Sequence, residues 1–468
     1  MEGHPMRAMS TFAFIVSLTL CAAGCTSLET IRTGPPTQRV DVDIARNEMR
    51  PADFQCKTGS DMLRKPWPMI EQYPRYWLSF VEFDDQGWGN SVDPEKSQTA
   101  ALERQLVAEI KDHPGAIFDV VVFIHGWHHN SHDDDCNVME FRSMLTRAAD
   151  KMESMQLKRR LIGVYVGWRG ESMDVPGLRV ATVLDRRNAA EHVAKGDVRE
   201  LFAMLRKHEL ETNASTAAGG AGDSRFHSMV IGHSFGGLIA FHSLSQAMVN
   251  ELTATKPNSA DDCSKGVSSK RANPRLVTWP DLLVLINPAF EASRFEPLHR
   301  LMRPVPGCPY LDTLQPKVVV VTADNDAATG WIFTGLRKVL TVLESYSPGP
   351  LRESEEDANH HAIGFVNRYR THRICMVDAT SSAAASYQPP SGADIQDRGA
   401  PVWVIGAPKN IVDRHDGFLY ARGDPKNPQP VLLNWLLELQ FGADTHDRTH
   451  QSRWLSTSDA ACPDGWQP

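Results

Sequence analysis

Short, almost continuous runs of apolar residues recur along this 468-residue chain, and they constrain its fold more than any other feature. Residues 118–124 read FDVVVFI and residues 317–322 read KVVVVT. Such runs are rich in β-branched side chains and lack the alternation of a half-exposed strand, which is typical of strands buried on both faces of a parallel sheet. The chain is therefore expected to build a central sheet that is covered on both sides.

Segments with helical periodicity separate most of these runs. Strands are predicted at residues 77–83, 118–124, 161–166, 228–231, 282–286, 317–322 and 402–405. Helices are predicted at residues 99–111, 187–206, 238–248 and 430–439. This βαβ alternation predicts an α/β fold in which a mostly parallel central sheet carries helices on both faces. Stretches outside the pattern are predicted to be loop insertions, at residues 211–225, 253–273 and 348–401.

The first 25 residues have the order of a secretory signal. Arg7 precedes an apolar stretch over residues 11–23, and the sequence Ala-Ala-Gly-Cys follows at residues 22–25. This ending resembles the lipobox of bacterial lipoproteins, although Ala22 stands where that family usually has leucine. The resemblance implies removal of residues 1–24 and a lipid on Cys25, with Thr26 directing the protein to the outer rather than the inner membrane. An ordinary cleaved signal, giving a periplasmic or secreted protein, and a buried N-terminal helix are the alternatives.

Charge and cysteine content restrict the partners and the compartment. The formal net charge is −8 and no basic run is present, so a nucleic-acid partner is not expected. After the signal the chain retains six cysteines, at positions Cys56, Cys136, Cys263, Cys308, Cys375 and Cys462. In an oxidising compartment they can form up to three disulfides, and buried free thiols are the alternative. The spacing does not decide the pairing.

The sequence GHSFGG at residues 232–237 directly follows a predicted strand and directly precedes a predicted helix. A serine at such a sharp turn needs neighbours without bulk, which glycine provides, and its hydroxyl is exposed above the sheet. The segment resembles the nucleophile elbow of α/β hydrolases, and the resemblance implies that Ser234 is a nucleophile. A Gly-rich helix start used for packing or for holding phosphate is the alternative.

A serine nucleophile needs a base and an orienting acid, and in the α/β hydrolases both follow the serine in the chain, the acid first. Two aspartates follow the strand at residues 317–322, and the resemblance favours Asp326 as the acid, with Asp324 as a rival at the same strand end. After the strand at residues 402–405 comes a His-Asp-Gly sequence that implies His415 as the base. Competing histidines are His360, His361 and His372, which precede that strand.

The strand at residues 118–124 ends in a His-Gly turn followed by Trp127. This resembles the turn in α/β hydrolases whose next residue donates one N–H group to the oxyanion, while the residue after the serine donates the other. The expected oxyanion hole is therefore formed by Trp127 and Phe235. Trp168 follows the predicted strand at residues 161–166 and is a candidate for lining an acyl pocket. Arg169 is a candidate for the same cleft or for an ion pair with a carboxylate.

Residues 128–135 read HHNSHDDD, and the histidines and aspartates in this loop are residue types that bind metals. No helical HExxH spacing accompanies them, so a polar loop without a metal is predicted, with a structural calcium or zinc as the alternative. No cofactor is required by the chemistry of a serine nucleophile.

Together these features predict a serine hydrolase that cleaves carboxylic esters through an acyl-enzyme intermediate, resembling esterases and lipases. The predicted organisation is a signal peptide at residues 1–24, a tether and irregular segment at 25–75, an α/β-hydrolase domain at 76–445 and a tail at 446–468. The expected partners are a small-molecule or lipid ester and a membrane reached through the lipid. A peptidase, a thioesterase or a non-catalytic cell-envelope protein on the same fold are the alternatives.

Overall fold

The computed structural model describes most of the chain between residues 30 and 442. The described residues are 30–40, 66–89, 91, 93–157, 159–170, 179–217, 225–256, 278–306, 308, 316–376, 383–389, 400–418 and 431–442. The predicted signal peptide, Cys25 and the predicted tail lie outside them, as do Cys56, Cys263 and Cys462.

Eleven strands form one mixed sheet in the order β1-β2-β3-β5-β4-β6-β7-β8-β11-β9-β10. Their bounds are Thr37–Arg39 (β1), Ile70–Gln72 (β2), Tyr76–Glu82 (β3), Ile117–Ile124 (β4), Arg159–Gly167 (β5), Phe226–His233 (β6), Leu282–Ile286 (β7), Val318–Ala323 (β8), His372–Met376 (β9), Ala383–Tyr387 (β10) and Val402–Ala407 (β11). The seven strands from β3 to β11 in this order are parallel to one another. Antiparallel pairs occur where β2 meets β3 and where β9 meets β10. The predicted mostly parallel sheet is confirmed.

Helices cover both faces of this sheet, as predicted. Their bounds are Gln98–Asp112 (α1), Cys136–Ser154 (α2), Arg179–Lys195 (α3), Val198–Ala217 (α4), Phe235–Thr255 (α5), Glu296–Met302 (α6), Phe333–Leu340 (α7), Leu351–His360 (α8) and Val431–Gly442 (α9). One buried apolar cluster joins the sheet to α1, α3, α4, α5 and α6, and a second joins its other face to α2 and α9. The continuous apolar strands are buried because each face has its own layer of helices.

Two helical regions differ from the prediction. The single helix expected at residues 187–206 is divided into α3 and α4, because the turn after β3 comes close to the chain at Gly196: a Cβ atom there would lie 2.2 Å from the Gly87 carbonyl oxygen. Helix α4 then extends to Ala217, into a predicted loop. Helix α2 is not predicted from the sequence, although Asp135 caps it by accepting a hydrogen bond from the Asn137 N–H group at 2.8 Å.

The prediction of loop insertions over residues 348–401 is wrong for much of that stretch. It contains α8 together with β9 and β10, and these strands extend the sheet beyond β11. At the other edge, the segment predicted as a tether contributes β1 and β2 to the sheet. Among the described helices, none has the length and the apolar content needed to cross a bilayer.

Candidate active site

Ser234 occupies a sharp turn between β6 and α5. Its backbone has φ 54° and ψ −118°, a conformation that few non-glycine residues adopt. The turn fits only because its neighbours lack side chains: a Cβ atom at Gly232 would lie 2.5 Å from the Gly236 carbonyl oxygen, and one at Gly236 would lie 2.1 Å from that of Ile124. The glycines therefore allow the helix to start directly against the sheet, with the serine at its N-terminus.

Ser234, His415 and Asp326 form a continuous chain of hydrogen bonds. The Ser234 Oγ atom lies 2.8 Å from Nε2 of His415, and Nδ1 of His415 lies 2.9 Å from Oδ2 of Asp326. Because a carboxylate only accepts, Nδ1 carries the proton and Nε2 is left to accept from the serine hydroxyl. The three residues follow β6, β11 and β8, so parallel strands bring them together at the carboxyl edge of the sheet.

The surroundings of Asp326 keep this carboxyl group ionised. Burial raises its pKa, but the hydrogen bond and charge of His415 and hydrogen bonds from Thr329 outweigh burial, and the pKa is lowered overall. The N–H groups of Ala328 and Thr329 reach Oδ1 at 2.9 and 3.3 Å, and the Thr329 hydroxyl donates to Oδ2. Conversely, burial lowers the pKa of His415 while Asp326 raises it, and the net shift is upward. A histidine held in this way is a stronger base than a free one.

The rival acid Asp324 faces another part of the structure. Its carboxylate lies 3.6 Å from the guanidinium of Arg373, and its backbone N–H group bonds to the carbonyl of Ala407. Burial raises the pKa of Asp324 despite the nearby arginines Arg370 and Arg373. The structure thus brings Asp326, not Asp324, into contact with His415.

The competing histidines are engaged away from the serine. His360 lies 2.9 Å from the Thr341 hydroxyl, and His361 lies 3.0 Å from an Asp357 carboxylate oxygen. The ring of His372 stacks on Trp403 with centroids 4.2 Å apart. Of the four candidate bases, His415 is the one hydrogen-bonded to Ser234.

Three residues that are not assigned a role from the sequence hold the turn that carries His415. Asn287, at the end of β7, donates through Nδ2 to the carbonyls of Arg414 and His415 at 3.1 and 2.8 Å. Nε2 of His233 lies 3.0 Å from the same His415 carbonyl. Asn325 donates through Nδ2 to Oδ1 of Asp413 at 3.0 Å, and its Oδ1 accepts from the Arg414 N–H group at 2.9 Å. Their only sequence signal is their place beside a strand end, which does not reveal a long-range contact.

The surroundings of His233 keep its ring neutral. Its ring is buried, and burial together with the nearby His415 lowers its pKa to about 3, so the ring is neutral at physiological pH. The ring packs against Phe418, with centroids 4.5 Å apart. A neutral, buried histidine supports the His415 turn without adding a charge next to the base.

The loop after β4 lies against the serine on its other side. A Cβ atom at Gly126 would be 3.0 Å from the Ser234 Cβ atom, which indicates how closely the two backbones approach. Nδ1 of the buried His125 lies 2.8 Å from the Gly126 carbonyl oxygen, while Nε2 accepts from the Trp168 N–H group at 3.0 Å. Since the C=O and N–H groups of a trans peptide point in opposite directions, the Trp127 N–H group points away from His125.

Phe235 is the first residue of α5, where an N–H group has no acceptor within the helix. The positive end of the helix dipole lies at the same point. Both predicted oxyanion donors, Trp127 and Phe235, therefore belong to segments that adjoin Ser234.

Trp168, a predicted pocket residue, is buried and stacks on His125 with ring centroids 5.6 Å apart, so it supports the loop after β4. Arg169 lies 3.6 Å from the Asp85 carboxylate, as in the ion-pair alternative.

The loop at residues 128–135 is held by contacts within the protein. Nδ1 of His129 lies 3.2 Å from the carboxylate of Asp135, which also caps α2. The carboxylate of Asp133 pairs with Arg142, and the His132 ring packs edge-on against Trp67. These contacts match a structural polar loop.

Among the described residues, one group of possible metal ligands lies close together, made of His233, His415 and Asp416. Both ring nitrogens of His415 are already engaged, with Ser234 and Asp326. A metal ion there would have to displace one of these two contacts, so the group does not fit a resident metal.

Cys136, Cys308 and Cys375 are each in a disulfide bond. Disulfides of this kind are typical of proteins that fold in oxidising compartments. Comparisons with protein-family models, with curated proteins and with solved structures found no match to this chain.

Proposed function

We propose that this protein is a serine hydrolase that cleaves carboxylic esters. The observation that carries the proposal is the uninterrupted hydrogen-bond chain from the Ser234 hydroxyl through His415 to Asp326, with distances of 2.8 and 2.9 Å. A serine hydroxyl is a weak nucleophile unless a base accepts its proton, and an orienting carboxylate keeps that base in the required tautomer. The arrangement also holds the serine in a strained backbone conformation, and such strain is typical of functional sites.

We also propose that the α/β sheet is an α/β-hydrolase fold. The supporting features are the order serine, acid, histidine along the chain, the position of each at the carboxyl end of a parallel strand, and the strained serine at a strand-to-helix turn. The Gly126–Trp127 turn after β4 is where that fold supplies its second oxyanion donor.

In the proposed reaction, His415 Nε2 takes the hydroxyl proton as Ser234 Oγ attacks the carbonyl carbon of the ester. The carbonyl oxygen becomes negative, and the N–H groups of Phe235 and Trp127 stabilise it. As the tetrahedral intermediate collapses, the bond to the alcohol oxygen breaks and His415 returns the proton to the leaving alcohol. Water then attacks the acyl carbon and loses a proton to His415. The bond between the acyl carbon and Ser234 Oγ breaks, His415 returns the proton to Oγ, and the acid is released.

The proposed location is the cell envelope, with a lipid on Cys25 holding the protein to a membrane, the outer membrane in preference to the inner. The signal-like N-terminus supports this proposal, and so do the disulfides at three described cysteines, because such bonds persist outside the cytoplasm.

The direct test is labelling of the purified protein with a fluorophosphonate, which reacts with serines activated by a neighbouring base. The parent protein should be labelled and should hydrolyse p-nitrophenyl esters, and Ser234→Ala should lose both properties. Ser154→Ala is the matched control, because Ser154 is an exposed serine at the end of α2 and should not affect either readout. Undiminished labelling of Ser234→Ala, or no labelling of the parent, would overturn the proposal.

A further inference from the structure

Exposed large apolar side chains are concentrated in one short segment. Ten such side chains occur among the described residues, and seven of them lie within residues 331–351. These seven, which we name the apolar cap, are Trp331, Ile332, Val339, Leu340, Val342, Leu343 and Leu351. Soluble monomers rarely expose a large contiguous apolar patch unless it contacts a partner or a membrane.

The helical part of this segment is inverted relative to an ordinary surface helix. Its inward positions are Thr329, Phe333, Arg337 and Thr341, spaced four residues apart, and three of these four are polar. Its outward side carries four members of the apolar cap, Trp331, Ile332, Val339 and Leu340. Val342 and Leu343 follow in the turn after α7 and are 76% and 93% exposed. A helix in water places its apolar side on the protein core. The inversion indicates that the outward side contacts an apolar environment.

The apolar cap belongs to the carboxyl edge of the sheet, where Ser234 also lies. Its segment starts in the loop that carries Asp326, since the Gly330 N–H group bonds to the Asp326 carbonyl at 3.1 Å. Arg337 of α7 lies 2.9 Å from Glu291, in the loop after β7. The segment returns to the sheet at Gly364, where a Cβ atom would lie 1.9 Å from the Thr322 hydroxyl at the end of β8.

The N-terminal end of the described chain meets this same edge. The N–H groups of Ile31 and Arg32 bond to the carboxylate of Glu82, the last residue of β3, and Arg32 also bonds to the Ser131 carbonyl in the loop after β4. Residue 30 lies five positions after Cys25, and five residue steps span at most about 18 Å. A lipid on Cys25 would therefore hold the carboxyl edge close to the membrane surface.

We propose that the apolar cap is a membrane-docking surface that inserts into the apolar part of a lipid bilayer. The choice of a bilayer as the partner of this surface rests on the proposed lipid anchor. The exposed apolar side chains are observed independently of that anchor. Between residues 331 and 351 the charged residues are Arg337, Lys338 and Glu344, and Arg337 is paired with Glu291. Because Lys338 and Glu344 balance each other, docking is apolar in origin and does not require anionic lipid.

Vesicle flotation tests the inference without the lipid anchor. The chain from residue 26 onward, which lacks the predicted signal and Cys25 but contains every described residue, is mixed with neutral phosphatidylcholine vesicles, and the fraction that floats with them is measured at low and high salt. This protein should float, with little effect of salt, and adding Val342→Ser and Leu343→Ser should reduce its partition coefficient at least tenfold. The matched control adds Val107→Ser and Leu210→Ser, which alter the same two residue types on α1 and α4. The control should float like its parent.

Flotation does not depend on catalysis, so its result is separate from the fluorophosphonate test. Circular dichroism and thermal melting should show both double variants folded, since all four side chains are exposed. Equal flotation of the two double variants, or no flotation of their parent, would overturn the inference. A parent that fails to float but sediments as a dimer, together with monomeric Val342→Ser/Leu343→Ser, would assign the surface to a second copy of the chain instead and equally overturn it.

Discussion

At the scale of single residues, Asp324 and Asp326 are close in sequence but differ in what their carboxylates contact. Asp326 accepts from His415 at 2.9 Å, whereas Asp324 faces Arg373. Replacing Asp326 with Asn presents an amide to Nδ1 and favours the wrong tautomer of His415, so kcat should fall by about 10³–10⁴. Asp324→Asn should lower kcat by less than about tenfold, because the bonds of His415 remain intact. Steady-state hydrolysis of a p-nitrophenyl ester measures both effects.

Asp324→Asn serves as the matched control for this comparison, since it makes the same chemical change two residues away. A larger loss of kcat for Asp324→Asn than for Asp326→Asn would transfer the acid role to Asp324. Thermal melting of both variants separates an effect on the site from an effect on folding.

The candidate site is largely predictable from sequence at this scale because its members follow strand ends. Ser234, Asp326 and His415 each lie in the turn or loop that follows an apolar run, and parallel strands bring their carboxyl ends to one edge. What the sequence does not contain is the set of contacts that hold these residues. Asn287 and Asn325 bond to the His415 turn across more than 85 positions of the chain, and no local pattern specifies such contacts.

At the scale of elements, the start of α5 depends on a close approach between backbones. A Cβ atom added at Gly236 would lie 2.1 Å from the Ile124 carbonyl oxygen and 2.6 Å from that of His125, so the helix would have to move away from β4. Gly236→Ala should therefore lower the free energy of unfolding by about 1–3 kcal/mol and abolish fluorophosphonate labelling. Urea unfolding and labelling provide the two measurements.

The matched control is Gly335→Ala in α7, where a new Cβ atom meets nothing within 4 Å. Alanine has the higher helix propensity, so this variant should keep full stability or gain up to about 1 kcal/mol. If Gly236→Ala were as stable and as strongly labelled as Gly335→Ala, the tight approach at the serine turn would be disproved.

Strands and core helices are predicted well because both faces of the sheet are buried and the apolar pattern is strong. The segment from α7 to β10 is not predicted, and the reason is visible in α7 itself. In and beside α7 most apolar residues face outward, and three of the four inward positions are the polar residues Thr329, Arg337 and Thr341, so the periodicity does not indicate which side packs on the core. Helix α2 has ordinary amphipathic character and a capping aspartate, and its start is obscured only by the polar loop before it.

At the scale of the whole molecule, the serine, the apolar cap and the N-terminal entry of the chain all lie at the carboxyl edge of one sheet. Strands β3 and β8 are five positions apart in the sheet, which corresponds to about 24 Å. A membrane plane along this edge can thus accommodate an anchor at one end and the apolar cap at the other. The anchor would supply the binding strength and the cap would set the orientation of the site.

The last prediction concerns the proposed lipid on Cys25 and therefore where the molecule resides. Each methylene of a bilayer-inserted fatty chain contributes about 0.8 kcal/mol, so a lipid on Cys25 adds membrane affinity independently of the apolar cap. Cells grown with an alkyne fatty acid should tag the parent protein, and the tag should survive in Val342→Ser/Leu343→Ser. Cys25→Ser should be untagged, whereas Cys21→Ser, four residues upstream, should remain tagged. A fatty-acid tag on Cys25→Ser would contradict the anchor while leaving the hydrogen-bond chain at Ser234 unaffected.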